Sequence, residues 1–389
     1  MDKLKGKIVI ACDKYKGNLT VMQVCTIIKN AIMNITKDIE IIVSPMADGG
    51  EGIVSTLVES YKGRYVEFEV TGSTGKKVKS SFGLIENGNT AVIEMSSASG
   101  LWLVKPQDRN PLYTTTYGTG ELIKKALEIG AKRIIIGIGG SATNDAGIGA
   151  ARALGVKFYD KNKNMLSGFG KDLARIESIC VSDLDSLVNG AEIFVACDVD
   201  NPLYGPNGAA FVYGPQKGAD VETVKMLDEG LRNFAGVVKR DLKKDVGGLK
   251  GAGAAGGLGA GLVTFLNAEL KSGTDIIIQV THLEDKIKDA DLVITGEGAM
   301  DNQTFYGKSA YGVAMLAKKY NIPVITVNGS VNIDYDKIEK QKQNLFAGNF
   351  DTVTRDMCLE DAIKNGKDLL YFMSKEIAKF YVSIISKSR

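Results

Sequence analysis

The sequence predicts an α/β protein: a doubly wound parallel sheet interrupted by a second, inserted α/β domain. Three observations carry this. Both ends of the chain alternate short β-branched strands with helical apolar spacing, the stretch after residue 61 changes to strands joined by glycine turns, and four strands run into glycine-rich turns that hold carboxylates.

At the N-terminal end the pattern predicts strand 8–12, helix 20–34, strand 40–44 and helix 50–61. The far end continues the alternation with strands 291–295, 323–327 and 345–350 and helices 308–320, 335–342 and 359–386. Two strands are too few for a sheet and three are marginal, but joined they make five parallel strands with helices on both faces. Between them, strands 64–71, 78–84 and 90–95 follow one another without a helix, joined by TGSTGKK and ENGN, and predict an antiparallel region. Helices 118–130, 145–154, 221–239 and 254–270 then alternate with strands 133–138 and 193–196. The expected domains are 1–61 with 283–389, and the insert 62–282.

Composition narrows the function. Among 389 residues, 48 Lys and Arg balance 46 Asp and Glu, so the net charge of +2 supplies no field for nucleic acid or a membrane surface. Small polar ligands are the default partners. The apolar run 8–12 is too short for a signal peptide or a membrane span, and five widely spaced cysteines without a CxxC pair predict a reducing, cytoplasmic setting. His282 is the single histidine and stands at an expected helix start. General-base chemistry therefore falls to a carboxylate or a lysine.

The four turns are PMADGGEG (45–52), GIGGSATNDAG (137–147), ACDVDNPLYGPNG (196–208) and ITGEGAMDNQTFYGKS (294–309). Glycine lets backbone N–H groups close around an anion, and a helix that follows adds the positive end of its dipole. Carboxylates beside a phosphate need a cation, or a hydroxyl that must lose its proton. Standard nucleotide signatures are absent: a Walker A loop before Lys308 would need glycine where Asn302 stands, and a GxGxxG from Gly137 would need glycine at Ala142. A calcium loop from Asp198 fails at Leu203 and Ala209. Asp198 and Asp200 alternate just past an expected strand, so their side chains should point the same way. GAGAAGG (251–257) reads equally as a phosphate-facing turn or as close helix packing.

These blocks, with IVIACDKYKGNLT, EMSSASGL, RNPLYTTTYGTGELI, GAGAAGGLGAGL and DLVITGEGAMDNQTFYGKS in the same order, closely resemble the glycerate kinase type 1 family of bacterial D-glycerate kinases. The resemblance implies a flavodoxin-like domain interrupted by a second α/β domain, and ATP-dependent phosphorylation of D-glycerate with 2-phosphoglycerate favoured. Two departures stand out. Where the family reads D-S-F-K-G-S this chain has Asp13-Lys14-Tyr15-Lys16-Gly17-Asn18, and where it reads G-E-G-R-I-D this chain has Gly296-Glu297-Gly298-Ala299-Met300-Asp301. A missing arginine removes a bidentate anion contact, and Lys14 is the candidate replacement.

On this reading ATP and Mg2+ are the expected cofactors. Asp198 or Asp200 accepts the substrate proton, Asp48 and Glu297 hold magnesium directly or through water, and Asp301, Lys16 and Lys308 organise the transferring group. Lys14, Gly49, Gly50, Gly139, Gly140, Ser141, Asn144, Asp145, Gly296 and Gly298 are the expected substrate- or phosphate-binding positions. The alternatives are a kinase of a related hydroxy acid and a non-catalytic regulator that binds a sugar acid.

Overall fold

The computed structural model describes residues 6–47, 52–184 and 186–385, the side chains of 187 and 341 excepted. By internal contacts the chain divides into two compact units, Met1–Asp48 with Thr274–Arg389, and Gly49–Gly273.

The first unit is built on a five-stranded sheet in the order Gly348–Asp351, Val324–Asn328, Leu292–Thr295, Gly6–Ile10, Ile39–Val43, with every pair parallel. Parallel strands of this kind are buried on both faces and therefore read as continuous apolar runs. Ile8, Ile10 and Cys12 pack with the helices Val21–Met33 and Gly366–Ile385, while Val9 and Val293, which alternate to the other face, are equally buried. The helix Val21–Met33 starts where its sequence says it should. The Thr20 hydroxyl accepts from the Gln23 N–H, and the Gln23 side chain accepts from the Thr20 N–H, so two otherwise orphaned donors are satisfied.

The second unit holds a six-stranded sheet in the order Glu269–Lys271, Glu192–Ala196, Arg133–Gly137, Thr90–Glu94, Lys77–Ile85, Arg64–Thr71. The first four strands are parallel, and the last two join antiparallel, as the helix-free stretch predicts. Its core gathers Ile134, Ile136, Ile193 and Val195 with Leu122 and Ile123 of the helix Tyr117–Ile129, and with Phe234 and Phe265.

The edges of these compact units lie about an element away from the expected domain boundaries at each end. The helix Ile53–Ser60 packs on the second unit: Val54 and Val58 lie over Gly83, and the Gly52 and Val54 N–H groups donate to Glu94 Oε1 at 2.9 and 3.3 Å. The helix Gly273–Val280 lies with the first unit, where the Thr274 methyl fills the space above Gly312. Other elements are shorter than their periodicity suggests. Residues 335–342 form a 3-10 turn, Tyr335–Lys337, and a four-residue α-helix, Lys340–Gln343, and 359–386 is two helices, Leu359–Lys364 and Gly366–Ile385. The helix Ala254–Leu266 ends at Asn267, whose φ of 51° turns the chain into the strand Glu269–Lys271. Among the described residues no helix is long and apolar enough to cross a membrane.

The turn 143–147 is organised from inside. Asp145 is fully buried; its Oδ2 accepts from the Thr116 N–H (2.7 Å), the Thr116 hydroxyl (2.8 Å) and the Gly149 N–H (3.3 Å), and its Oδ1 from the Gly147 N–H (3.1 Å). Burial pushes its carboxyl above the ordinary range despite those donors. Replacing a buried carboxylate by alanine strands every donor it served, so Asp145→Ala should cost about 3 kcal/mol or more. A circular dichroism melt should show a fall of roughly 6–12 °C. A melting temperature within 1 °C of the parent, on an order-of-magnitude scale set by the same relation, would show that this carboxylate does not organise the turn.

Candidate functional site

In both units the loops that leave the parallel strands surround a cavity at the sheet's carboxyl edge, the place where open α/β sheets take ligands. In the first unit the cavity is about 780 Å³. Lys14 and Lys16 come from the loop after Gly6–Ile10, Glu297, Gly298, Ala299 and Asp301 from the loop after Leu292–Thr295, and Lys308 from the start of the helix Ser309–Lys318. Six expected site residues, Lys14, Lys16, Glu297, Gly298, Asp301 and Lys308, therefore share one cavity. Ala299 and Lys14 lie on the same lining, as replacement of the absent arginine by Lys14 requires.

The charges of this cavity are interlocked. Lys308 Nζ lies 3.5 Å from Glu297 Oε2 and 3.4 Å from Asp301 Oδ1. The other Glu297 oxygen accepts from the Thr304 hydroxyl at 2.5 Å, and its backbone N–H is held by Asn328 Oδ1 at 3.2 Å. Burial raises the Glu297 carboxyl above its ordinary value, with Thr304 and Lys308 opposing. A lysine at a helix N-terminus works against the helix dipole, so Lys308 is held there by its two carboxylates. The loop carrying Lys16 is fixed by Tyr15, whose hydroxyl donates to the Val327 carbonyl at 2.8 Å and whose backbone pairs with Leu19. Gly298 lets this loop come close, since an added Cβ would sit 3.0 Å from the Lys16 nitrogen. Gly296 is a packing glycine: a Cβ would run into the Val327 carbonyl of the neighbouring strand.

The second unit's cavity is about 370 Å³ and is lined by Gly139, Gly140, Ser141, Cys197, Asp198 and Lys217 among others. Gly139, Gly140, Ser141 and Asp198 were expected there. Asp198 Oδ1 accepts from the Gly273 N–H at 3.0 Å. Asp200 is not its companion: the strand stops at Ala196, the alternation does not continue, and Asp200 pairs at 3.5 Å with Lys250 on a surface where both are more than 80% exposed. Asn144 and Asp145 line neither cavity. Both are fully buried, Asp145 as the internal organiser of its turn, and Asn144 with amide nitrogen and oxygen unpartnered among the described residues. Asp48, Gly49 and Gly50 lie outside the described residues.

The GAGAAGG segment packs closely, as one of its two readings expects. A Cβ on Gly256 would strike the Thr143 carbonyl and one on Gly261 the Ala146 carbonyl, so these glycines let the helix Ala254–Leu266 press on the turn 143–147. Ala254 and Ala255 line the cavity instead, Ala255 at a left-handed φ of 54°.

Three features had escaped the sequence reading. Asp13, 8% exposed, accepts from the Ser309 hydroxyl at 2.9 Å and ties the first loop to a helix start; its place in the family motif gave no hint of this partner 296 residues away. Val353, Met357, Leu359, Ala362 and Ile363 form an apolar wall on the first cavity, although their periodicity reads as ordinary helix. Lys217 is buried, and only its place inside the run YGPQKGAD distinguishes it from any surface lysine.

Known proteins resemble this chain along nearly its whole length. The model of the glycerate kinase family matches residues 8–382. Glycerate kinase of Haemophilus influenzae is 46% identical over 373 residues, spanning 96% of this chain and 98% of the relative. Glycerate 2-kinase of Escherichia coli is 45% identical over 372 residues, spanning 96% and 97%. The crystal structure of a Salmonella typhimurium LT2 protein assigned as glycerate kinase 2 superposes with a TM-score of 0.88 at 44% identity, covering 97% of this chain and 99% of that one. With near-complete coverage on both sides, the chain belongs to the glycerate kinase family.

Proposed function

We propose that this protein transfers the γ-phosphoryl group of ATP to a hydroxyl of D-glycerate, with 2-phosphoglycerate as the product. The observation that carries it is the first unit's cavity, where Lys14, Lys16 and Lys308 meet Glu297 and Asp301 at the carboxyl edge of a parallel sheet in a chain of this family. The E. coli relative's name, glycerate 2-kinase, supports the choice of product. Phosphoryl transfer asks little covalent chemistry of a protein. It asks for alignment and for charge placed against the phosphates.

The cavity offers both. Its apolar wall suits a nucleotide base and its lysines suit phosphates. Among the described residues no three His, Cys, Asp or Glu side chains gather as a metal cluster, but magnesium on a nucleotide takes only one or two carboxylates and leaves its other positions to phosphates and water. Glu297 and Asp301 fit that donor set, and the raised Glu297 carboxyl is one whose charge a cation would stabilise. Magnesium bound there would neutralise phosphate charge and orient the γ-phosphoryl group. Lys308 holds the two carboxylates in position, Lys14 and Lys16 contact the phosphates, and Asp198, on the second unit's cavity, accepts the proton of the substrate hydroxyl.

The two compact units read as two domains, the second inserted in a flavodoxin-like first. In chain order the first sheet runs 2-1-3-4-5, which is the flavodoxin order. A cytoplasmic setting fits the five free cysteines.

Phosphorus NMR on protein, ATP, magnesium and D-glycerate should show 2-phosphoglycerate forming at the rate of ADP. No product with glycerate would overturn the activity, and undiminished transfer in excess EDTA would remove the metal. Asp198→Asn should keep its melting temperature while turnover falls by about 10²-fold or more, the scale of a lost general base; full activity would show that Asp198 is not the proton acceptor. Lys14→Ala removes a charge-assisted contact of about 1.5–3 kcal/mol, so the Michaelis constant for ATP should rise about tenfold or more. Unmoved constants would leave the missing arginine at Ala299 without a substitute.

A further inference from the structure

Lys217 is only 2% exposed, although its side chain ends in an amine that is cationic when protonated. Its Nζ donates to Ser141 Oγ at 2.8 Å and to the Thr143 carbonyl at 2.6 Å, two neutral acceptors for a group with three hydrogens. Among the described residues no carboxylate stands within ion-pair distance. Asp145, whose charge reaches it, already has its oxygens committed to Thr116, Gly147 and Gly149. A buried cation without a counter-ion is costly, and here it sits on the wall of a cavity of about 370 Å³. The missing partner is an anion that arrives with the ligand.

We propose that this cavity binds the glycerate substrate, with Lys217 and Ser141 taking its carboxylate and Asp198 taking a hydroxyl. This rests on the kinase reading above. The lining is complementary to a small hydroxy acid: a cation and a hydroxyl donor at Lys217 and Ser141, and a carboxylate acceptor at Asp198. A phosphate group would bring a second negative charge toward Asp198, whereas the hydroxyls of a three-carbon acid donate to it. Gly139 and Gly140 bring no side chain into the cavity, and Ala255, held at a left-handed φ, belongs to the same wall.

The proposal has a titration signature. Burial brings the Lys217 ammonium down to about 7, with Asp145 opposing. The other groups around the cavity are Asp198, the Cys197 thiol and the Tyr213 phenol, the last two pushed up by burial. Above neutrality the empty site therefore loses its charge at Lys217, and a bound carboxylate restores it. Glycerate binding should take up a proton, and affinity should fall as pH rises.

The test is calorimetric titration of D-glycerate alone into the full-length protein at pH values of about 7 and about 8.5, in buffers of different ionisation heat, alongside steady-state kinetics. Wild type should take up a proton at the higher pH and bind about tenfold more weakly there. Lys217→Met should raise the KM for glycerate about tenfold or more, leave the KM for ATP within about twofold, and lose the pH dependence. Lys217→Arg, which keeps the charge, should recover part of the affinity. A glycerate KM unmoved in Lys217→Met, a rise in the ATP KM alone, or an equal rise in both overturns the assignment. Should Lys217→Met not fold, wild type decides: glycerate binding without proton uptake overturns it. Wild type that transfers no phosphoryl group to D-glycerate fails the kinase reading instead, whereas normal transfer with an unmoved Lys217→Met fails only this proposal.

Discussion

The carboxyl edge of a parallel sheet constrains everything else in each unit. Parallel strands cannot be joined by tight hairpins, so the chain must leave every strand at the same edge and return by a helix on a face. The loops at that edge are the segments of the sheet layer left free for ligands, and their first residues are positioned by strands buried on both sides. In the first unit this places Lys14, Glu297, Gly329 and Thr352 around one cavity from four separate strands. In the second it places Leu101, Ser141 and Asp198 around another. The antiparallel strands Arg64–Thr71 and Lys77–Ile85 lie at the far side of the second sheet and contribute nothing to its cavity.

Close approach is the cost of bringing these loops together, and glycine is how the chain meets it. Gly296 accommodates a neighbouring carbonyl, Gly298 the Lys16 backbone, and Gly256 and Gly261 the turn that Asp145 organises. Glycine-rich turns thus mark the site without forming most of its contacts. Their density signals that backbones meet there, and charged side chains next to them line the cavities. The same division separates Asp198, on a cavity, from Asp145, enclosed among protein donors.

Much of this was legible in the sequence. The alternation of strands and helices at both ends predicted the five parallel strands, because β-branched runs such as KIVI and LVIT match fully buried strands and little else. Lys14, Lys16, Glu297, Gly298, Asp301 and Lys308 line one cavity; most stand out because charge lies beside glycine at a strand end, and Lys14 because this chain has Ala299 where the family motif has arginine. Asp200 was not separable from Asp198, since two-residue alternation holds only while the strand lasts and this one ends at Ala196. The helix expected over residues 335–342 is broken into two short pieces; apolar spacing over one or two turns does not show whether tertiary contacts extend it. The edges of the compact units differ from the expected boundaries because a helix falls in a unit by what it packs against, and Gly83 beneath Val54 and Val58 has no trace in local sequence.

Lys217 marks the limit of such reading most sharply. Lysine is nearly always exposed, so sequence alone places it on the surface, and no periodicity contradicts that. Only the fold reveals that Pro215–Lys217 turns inward and that the ammonium ends between Ser141 and the Thr143 carbonyl. Lys308 offers the contrast: it is balanced by Glu297 and Asp301 in the protein itself, so its charge is already compensated before any ligand arrives. The two lysines do different physical work. Lys308 can hold carboxylates in place at all times, whereas an amine buried without a counter-ion in a small cavity is relieved either by losing its proton or by an incoming anion, and under the proposal above that difference converts burial into affinity.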